Sequence, residues 1–138
     1  MVRNFNLSKT KIISKQCHEL GLINFDTLYN YVIKLPYGRN SNRSDYKLIL
    51  EEHKGTCSTK HAFLKAIAIE NDIEDITLCL GVFKMNRDNT PKITAILDTY
   101  DIDYIPEAHC YLKVDNTIKD ITFNDRKQPV FAASLLHE

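Results

Sequence analysis

Hydrophobic and polar positions along this chain follow two periods, and the change from one to the other falls just before residue 76. In the first part the spacing is helical. Residues 9–20 predict a first helix closed by Gly21. Leu28, Tyr31, Val32 and Leu35 recur at intervals of three and four and predict a second helix over 27–34, capped by Asp26 and stopped by Pro36. Residues 36–56 are the least regular, with a turn-rich Leu35-Pro36-Tyr37-Gly38-Arg39-Asn40 and a short helix over 44–52. From Cys57 to Glu70 the chain reads as one helix. Ala62, Phe63, Leu64, Ala66, Ile67, Ala68 and Ile69 leave it almost no polar face, the pattern of a helix at the centre of a core.

After that the period shortens. Ile76, Leu78, Leu80 and Val82 alternate and predict a strand over 76–85. Thr90-Pro91 is a helix-start pair, placing a helix over 91–99. Strands over 105–114 and 117–123 are joined at Asp115-Asn116, which suits a two-residue hairpin turn. A last short helix is placed over residues 129–137.

Composition narrows the class of protein. A chain of 138 residues is read as one domain, 1–138, able to bury roughly two-thirds of its unfolded surface without a metal or disulfide staple. Lys plus Arg equals Asp plus Glu, 18 against 18, and this neutrality argues against nucleic acid or an anionic membrane as a partner. The start, Met1 to Lys9, lacks the apolar core of a signal peptide, and no run of about 18 apolar residues predicts a membrane span. Four cysteines at 17, 57, 79 and 110 form no CxxC pair, so neither a zinc ribbon nor a secreted disulfide framework is expected. The thiols are read as reduced and the protein as cytoplasmic, with no cofactor.

Three residues carry candidate chemistry. Cys57 stands at the start of the apolar helix, in Gly55-Thr56-Cys57-Ser58, with Thr56 or Gly55 as the cap. The positive end of the helix and its unpaired N–H groups lower a thiol from its usual pKa of about 8.5. The backbone N–H of Cys57 or Ser58 can face the oxyanion of a tetrahedral intermediate. The competing reading of Cys57 is a small buried apolar residue. If Asp115-Asn116 is a two-residue turn, Val114 pairs with Thr117, Tyr111 with Asp120 and His109 with Thr122. His109 and Asp120 then share one face as diagonal neighbours roughly 7–8 Å apart at the backbone. Asp120 could hold the imidazole in one tautomer, completing a nucleophile, a base and an orienting group. The competing readings are a satisfied sheet histidine and a solvated strand carboxylate. Asp115 is a rival carboxylate, but its place at the turn marks it as a turn former.

Weaker candidates surround these. His53, Cys57 and His61 are spaced i, i+4, i+8, a metal-ligating stripe only if one helix runs through them, and Gly55-Thr56 argues against that. No metal is therefore assigned. His61 lies one turn after Cys57 and either stands near the site or is a helix residue at the core edge. Cys110 is read as core, and Cys17 and Cys79 as structural. Arg39, Asn40 and Asn42 either border a substrate groove or form a solvated loop.

The ordered set resembles the transglutaminase-like superfamily of papain-related cysteine enzymes. The resemblance runs through Tyr29-Asn30-Tyr31-Val32, Leu35-Pro36-Tyr37, Gly55-Thr56-Cys57, His109-Cys110-Tyr111 and Asp120-Ile121-Thr122, about residues 26–123. It implies an α+β fold with a papain/transglutaminase-like core, the cysteine helix packed on an antiparallel sheet. It also implies thiol-based acyl transfer or hydrolysis, with Cys57 attacking a carboxamide, His109 moving the proton and Asp120 orienting His109. The partner implied is a peptide, a protein or a small amide. The alternative is a member without activity that keeps the groove to bind a peptide or protein. The short interval from His109 to Asp120 departs from the family pattern and demands a tight hairpin.

Overall fold

The computed structural model describes residues 3–123 and 130–138. Expectations that touch residues 1, 2 and 129, at the chain start and at the start of the last helix, lie there outside the described residues.

The fold is α+β. Three helices come first: α1 (Ile12–Glu19), α2 (Phe25–Lys34) and α3 (Leu48–Glu52). The core helix α4 (Cys57–Glu70) follows, with the bounds its apolar run indicates. Strand β1 (Ile76–Met85) leads to helix α5 (Thr94–Tyr100), then to β2 (Ile105–Val114), β3 (Thr117–Lys119) and β4 (Leu135–His137). The four strands make one antiparallel sheet in the order β3-β2-β1-β4.

Where the elements differ from expectation, side-chain chemistry explains it. Helix α1 starts at Ile12 rather than residue 9, because the Ser8 hydroxyl takes the N–H groups of Thr10 and Lys11 into a local turn. Its next free N–H groups, on Ile13 and Ser14, are accepted by the Glu70 carboxylate from the far end of α4, at 2.9 and 2.7 Å. Gly21 ends α1 as expected. At φ +76° it lets Leu22 N–H reach the Cys17 carbonyl and its own N–H reach that of His18, a Schellman pair. Helix α2 is capped by Asn24, not Asp26: Asn24 Oδ1 accepts the Thr27 N–H at 2.9 Å while Thr27 Oγ1 accepts the Asn24 N–H. The helix expected over 44–52 is only α3, since Asn42 and Asp45 side chains hold the turns before it.

The helix expected over 91–99 opens as a 3₁₀ turn over Pro91–Ile93 before α5. Residues 130–137 are not one helix but a 3₁₀ turn over Val130–Ser134 followed by β4, which supplies β1 with its outer neighbour. The strand expected over 117–123 stops at Lys119.

The sheet is covered on both faces. By the alternation of strand side chains, Ile76, Leu112 and Val114 face one way and Cys79, Phe83 and Tyr111 the other. The first set joins the main core with Phe63, Leu64 and Ile67 of α4 and Phe25, Leu28 and Val32 of α2. The second packs with Phe131 from the 3₁₀ turn. Helix α4 is not buried all round as its apolar run predicts: Phe63, Leu64, Ile67 and Ala68 are fully buried, while Ile69 is 61% exposed on the side away from the sheet and α2. Glu138 bonds both Tyr111 and Lys113 of β2 and fixes the end of β4 against the sheet. Among the described residues no helix is long and apolar enough to cross a membrane.

Candidate functional site

Cys57 is the first residue of α4. Thr56 caps the helix: its Oγ1 accepts from the Thr59 N–H, and Thr59 Oγ1 accepts the Thr56 N–H at 2.8 Å. Gly55 allows the tight entry, because a Cβ there would lie 2.9 Å from Thr59 Oγ1, 3.0 Å from Lys60 Cγ and 3.2 Å from Ile49 Cδ1. A parallel bridge between Tyr37 and Gly55 holds the chain after α2 alongside this entry.

The hairpin presents the other two residues. Asp115 and Asn116 have φ of 48° and 60°, the left-handed pair of a type I′ turn, and Val114 pairs with Thr117 in the expected register. Pairing continues through Lys113–Ile118 and Leu112–Lys119 and then ends. Asp120 is therefore not a strand residue facing Tyr111. It turns in an Asx turn, its Oδ1 accepting the Thr122 N–H at 3.0 Å and the Thr122 hydroxyl at 2.6 Å. Its Oδ2 accepts His109 Nε2–H at 2.8 Å.

The early end of β3 has three consequences. The N–H of Cys110 on β2 is left without a β3 partner, near enough to Cys57 to lower the pKa of its thiol. The N–H of Ile121 is left for Nε2 of His61 at 2.9 Å. Asp120 is left to rotate onto His109. Cys110 is thus not simply core, as its alternation indicates: it is half-buried and forms part of the cleft wall beside Cys57.

With Nε2 of His109 engaged by Asp120, Nδ1 is the ring nitrogen left for Cys57, and the thiol and imidazole lie close enough for each to shift the other's pKa. The electrostatics follow. Burial pushes the Cys57 thiol up, but the hydrogen bond to His109, the N–H of Cys110, the His109 charge and the N–H of Ser58 together bring it below its ordinary value. Burial acts against the charged form of His109, yet its bonds to Asp120 and Cys57 and their charges raise it to about 9. Burial also acts against the Asp120 carboxylate, and His109 and Thr122 overcome it, bringing it down to about 2. The other three thiols move the opposite way: burial pushes Cys17 up to about 12 and raises Cys79 and Cys110. Cys57 alone among the four carries the environment of a reactive thiol. The rings of Phe131, Phe83 and Tyr111 surround His109, with centroids 4.7, 6.1 and 6.4 Å away.

Two buried basic residues of α4 join this region: His61, which the sequence places near the site or at the core edge, and Lys60, which was not assigned from sequence. His61 is fully buried; Nδ1–H donates to the Cys57 carbonyl at 2.6 Å and Nε2 accepts from Ile121. Burial lowers it to about 4, so it is a neutral brace between the turn that holds Cys57 and the Asp120 segment. Lys60, also fully buried, donates to the carbonyls of Leu35 at 2.6 Å and Thr122 at 2.9 Å. Burial lowers its pKa while the Asp120 charge raises it. The signal for both was present: they are adjacent basic residues just ahead of the apolar run of α4, where buried polar groups must find partners.

The remaining candidates separate. His53 ends α3 in a left-handed conformation and bonds the Tyr31 hydroxyl at 2.9 Å, so His53, Cys57 and His61 do not lie on one helix. Among the described residues no group of three His, Cys, Asp or Glu is placed to hold a metal. Asp115 is exposed at the turn, away from the triad geometry.

Cys57 opens onto a cleft of about 720 Å³. The loop between α2 and α3 contributes Tyr37, Arg39, Asn40 and Arg43; the sheet contributes Leu80 and Glu107. Of the three loop residues singled out in sequence, Arg39 and Asn40 line the cleft, while Asn42 instead holds the Ser44 N–H at 3.0 Å. Tyr37 stacks on Phe123 at 5.4 Å. Its phenol is pushed up by burial, then by a thiolate at Cys57, with Arg39 lowering and Glu107 raising it, so these charges lie around one hydroxyl. Comparison of the chain with protein-family models, with curated proteins and with solved structures finds no match.

Proposed function

We propose that this chain is a cysteine-dependent hydrolase or acyltransferase acting on an amide or peptide bond, and that its helix-on-antiparallel-sheet arrangement is a papain/transglutaminase-like core. The observation that carries the reading is the line from Cys57 through His109 to Asp120, with the thiol lowered and the imidazole raised.

In this reading a thiolate–imidazolium pair is the resting state near neutral pH. The Cys57 sulfur attacks the carbonyl carbon of the amide, and the oxygen takes the negative charge. The Cys57 N–H, in the first turn where helix donors lack intrahelical partners, is the donor available to it. His109 gives its proton to the amide nitrogen, the C–N bond breaks and the amine leaves, with a thioester on Cys57. Water or a second amine then loses a proton to His109 and attacks the thioester. The C–S bond breaks, the acyl product leaves and the thiolate returns beside the imidazolium. Asp120 keeps Nδ1 aimed at the sulfur throughout.

The test is turnover of a panel of peptide and amide substrates, peptides, proteins and small amides included, by the protein and its Cys57→Ser variant. Turnover lost in Cys57→Ser supports the reading. A Cys57 that alkylates with the pH dependence of an ordinary thiol, unchanged in His109→Ala, would refute it.

A further inference from the structure

The cleft beside Cys57 carries an uneven charge. Arg39 and Arg43, both exposed on the loop between α2 and α3, line one side, and among the described residues neither is in an ion pair. Glu107 of β2 lines the side formed by the sheet. Guanidinium groups stay charged at any pH the fold meets and grip carboxylates through two parallel N–H groups. The loop that carries them is held in place: Asn40, 6% exposed, donates to Glu52 Oε2 and to the Lys54 carbonyl, both at 3.0 Å.

We infer that this cleft selects amide or acyl substrates bearing a carboxylate close to the carbonyl that Cys57 attacks, with the acidic end toward Arg39 and Arg43 and a neutral or basic end toward Glu107. The inference rests on the thiol-enzyme reading above and adds the substrate class. Glu107 favours a monoanion over a phosphate monoester, because a second negative charge within one cleft is repelled from the opposite wall.

The experiment compares two alkylating reagents of nearly equal size on the intact protein. In both, the Cys57 sulfur forms a bond to the methylene carbon and iodide leaves; iodoacetate carries a carboxylate where iodoacetamide carries a neutral amide. Rates at Cys57 are read by peptide mass at pH 7 and low salt. At one pH the His109 charge acts on every variant alike, so the ratio of iodoacetate to iodoacetamide rates reports the cleft walls. The Arg39→Gln/Arg43→Gln protein lowers this ratio by about fivefold or more, Glu107→Gln raises it, and salt near 0.5 M brings the three together. A ratio unchanged in both variants, with Cys57 still alkylating ahead of the other cysteines, overturns the inference and leaves the thiol-enzyme reading standing. A wild-type Cys57 no more reactive than Cys110 overturns both.

Discussion

The N–H of Ile121 ends on Nε2 of His61, 2.9 Å away, and not on a neighbouring strand. Because the other nitrogen of the same ring holds the Cys57 carbonyl at 2.6 Å, the distance between the start of α4 and the segment after β3 is set by one imidazole. Cys57 and Asp120 stand on those two pieces of chain, so the alignment of Cys57, His109 and Asp120 depends on a residue outside that set. His61→Phe leaves a buried N–H and a buried C=O without partners, and we expect a loss of about 2–4 kcal/mol in urea unfolding. His61→Gln, which keeps a donor and an acceptor, should recover part of it. If the residue positions Cys57, the Phe variant should also shift the pH profile of Cys57 alkylation, which a purely structural loss would leave in place.

The same imidazole makes the fold sensitive to acid. His61 is lowered from 6.5 to about 4 by burial. Between those values the unfolded chain binds the proton and the folded chain does not, so stability declines as pH falls through this window. The full effect is about 3 kcal/mol, reached below pH 4. Asp120, lowered from 3.8 to about 2, adds a further loss as pH falls through that lower range. Unfolding free energies of wild type and His61→Gln at pH 4 and pH 6.5 should therefore differ in slope, with the wild type steeper.

His109 acts at the other end of the scale. Its pKa is raised from 6.5 to about 9, so its stabilisation is complete below 6.5 and is lost as pH rises through 9. Iodoacetate reaction at Cys57 should fall over the same upper range as the imidazolium loses its proton. In Asp120→Asn the carboxylate that raises His109 is gone, and the fall should move to lower pH. An unmoved alkaline limb in that variant would show that Asp120 does not govern the imidazole.

Lys60 offers a different test. It is a buried cation bonded to the carbonyls of Leu35 and Thr122, in a helix otherwise built for the core. Lys60→Met matches its length but leaves both carbonyls unpaired. We expect a loss of about 1–3 kcal/mol, partly offset because a charge no longer has to be desolvated. Removing that cation from near Asp120 should also raise the carboxylate's pKa, seen as an earlier decline in Cys57 reactivity on acidification.

Gly55→Ala places a Cβ 2.9 Å from Thr59 Oγ1 and 3.0 Å from Lys60 Cγ. Thr59 is half of the capping box, so the strain falls on the turn that holds Cys57. A loss of about 1–3 kcal/mol in thermal or urea unfolding is expected, with slower alkylation of Cys57.

Much of this architecture is legible in the order of residues. The apolar run of α4, the ten-residue alternations of β1 and β2 and the Asp115-Asn116 turn are local signals, set by side-chain period and by the left-handed preference of the turn pair. Because a two-residue turn leaves only one register, His109 and Asp120 were bound to come near each other once the hairpin formed. What local pattern could not reveal was where β3 would stop. Asp120 bonds Thr122 and His109 rather than the ladder, and its departure leaves the N–H of Cys110 near the Cys57 thiol, whose pKa it lowers, and that of Ile121 for His61. The switch of residues 135–137 from helix to edge strand and the burial of Lys60 against the carbonyls of Leu35 and Thr122 have the same origin. Each depends on a hydrogen-bonding group many residues away, and the competition for such groups is decided only when the chain has packed.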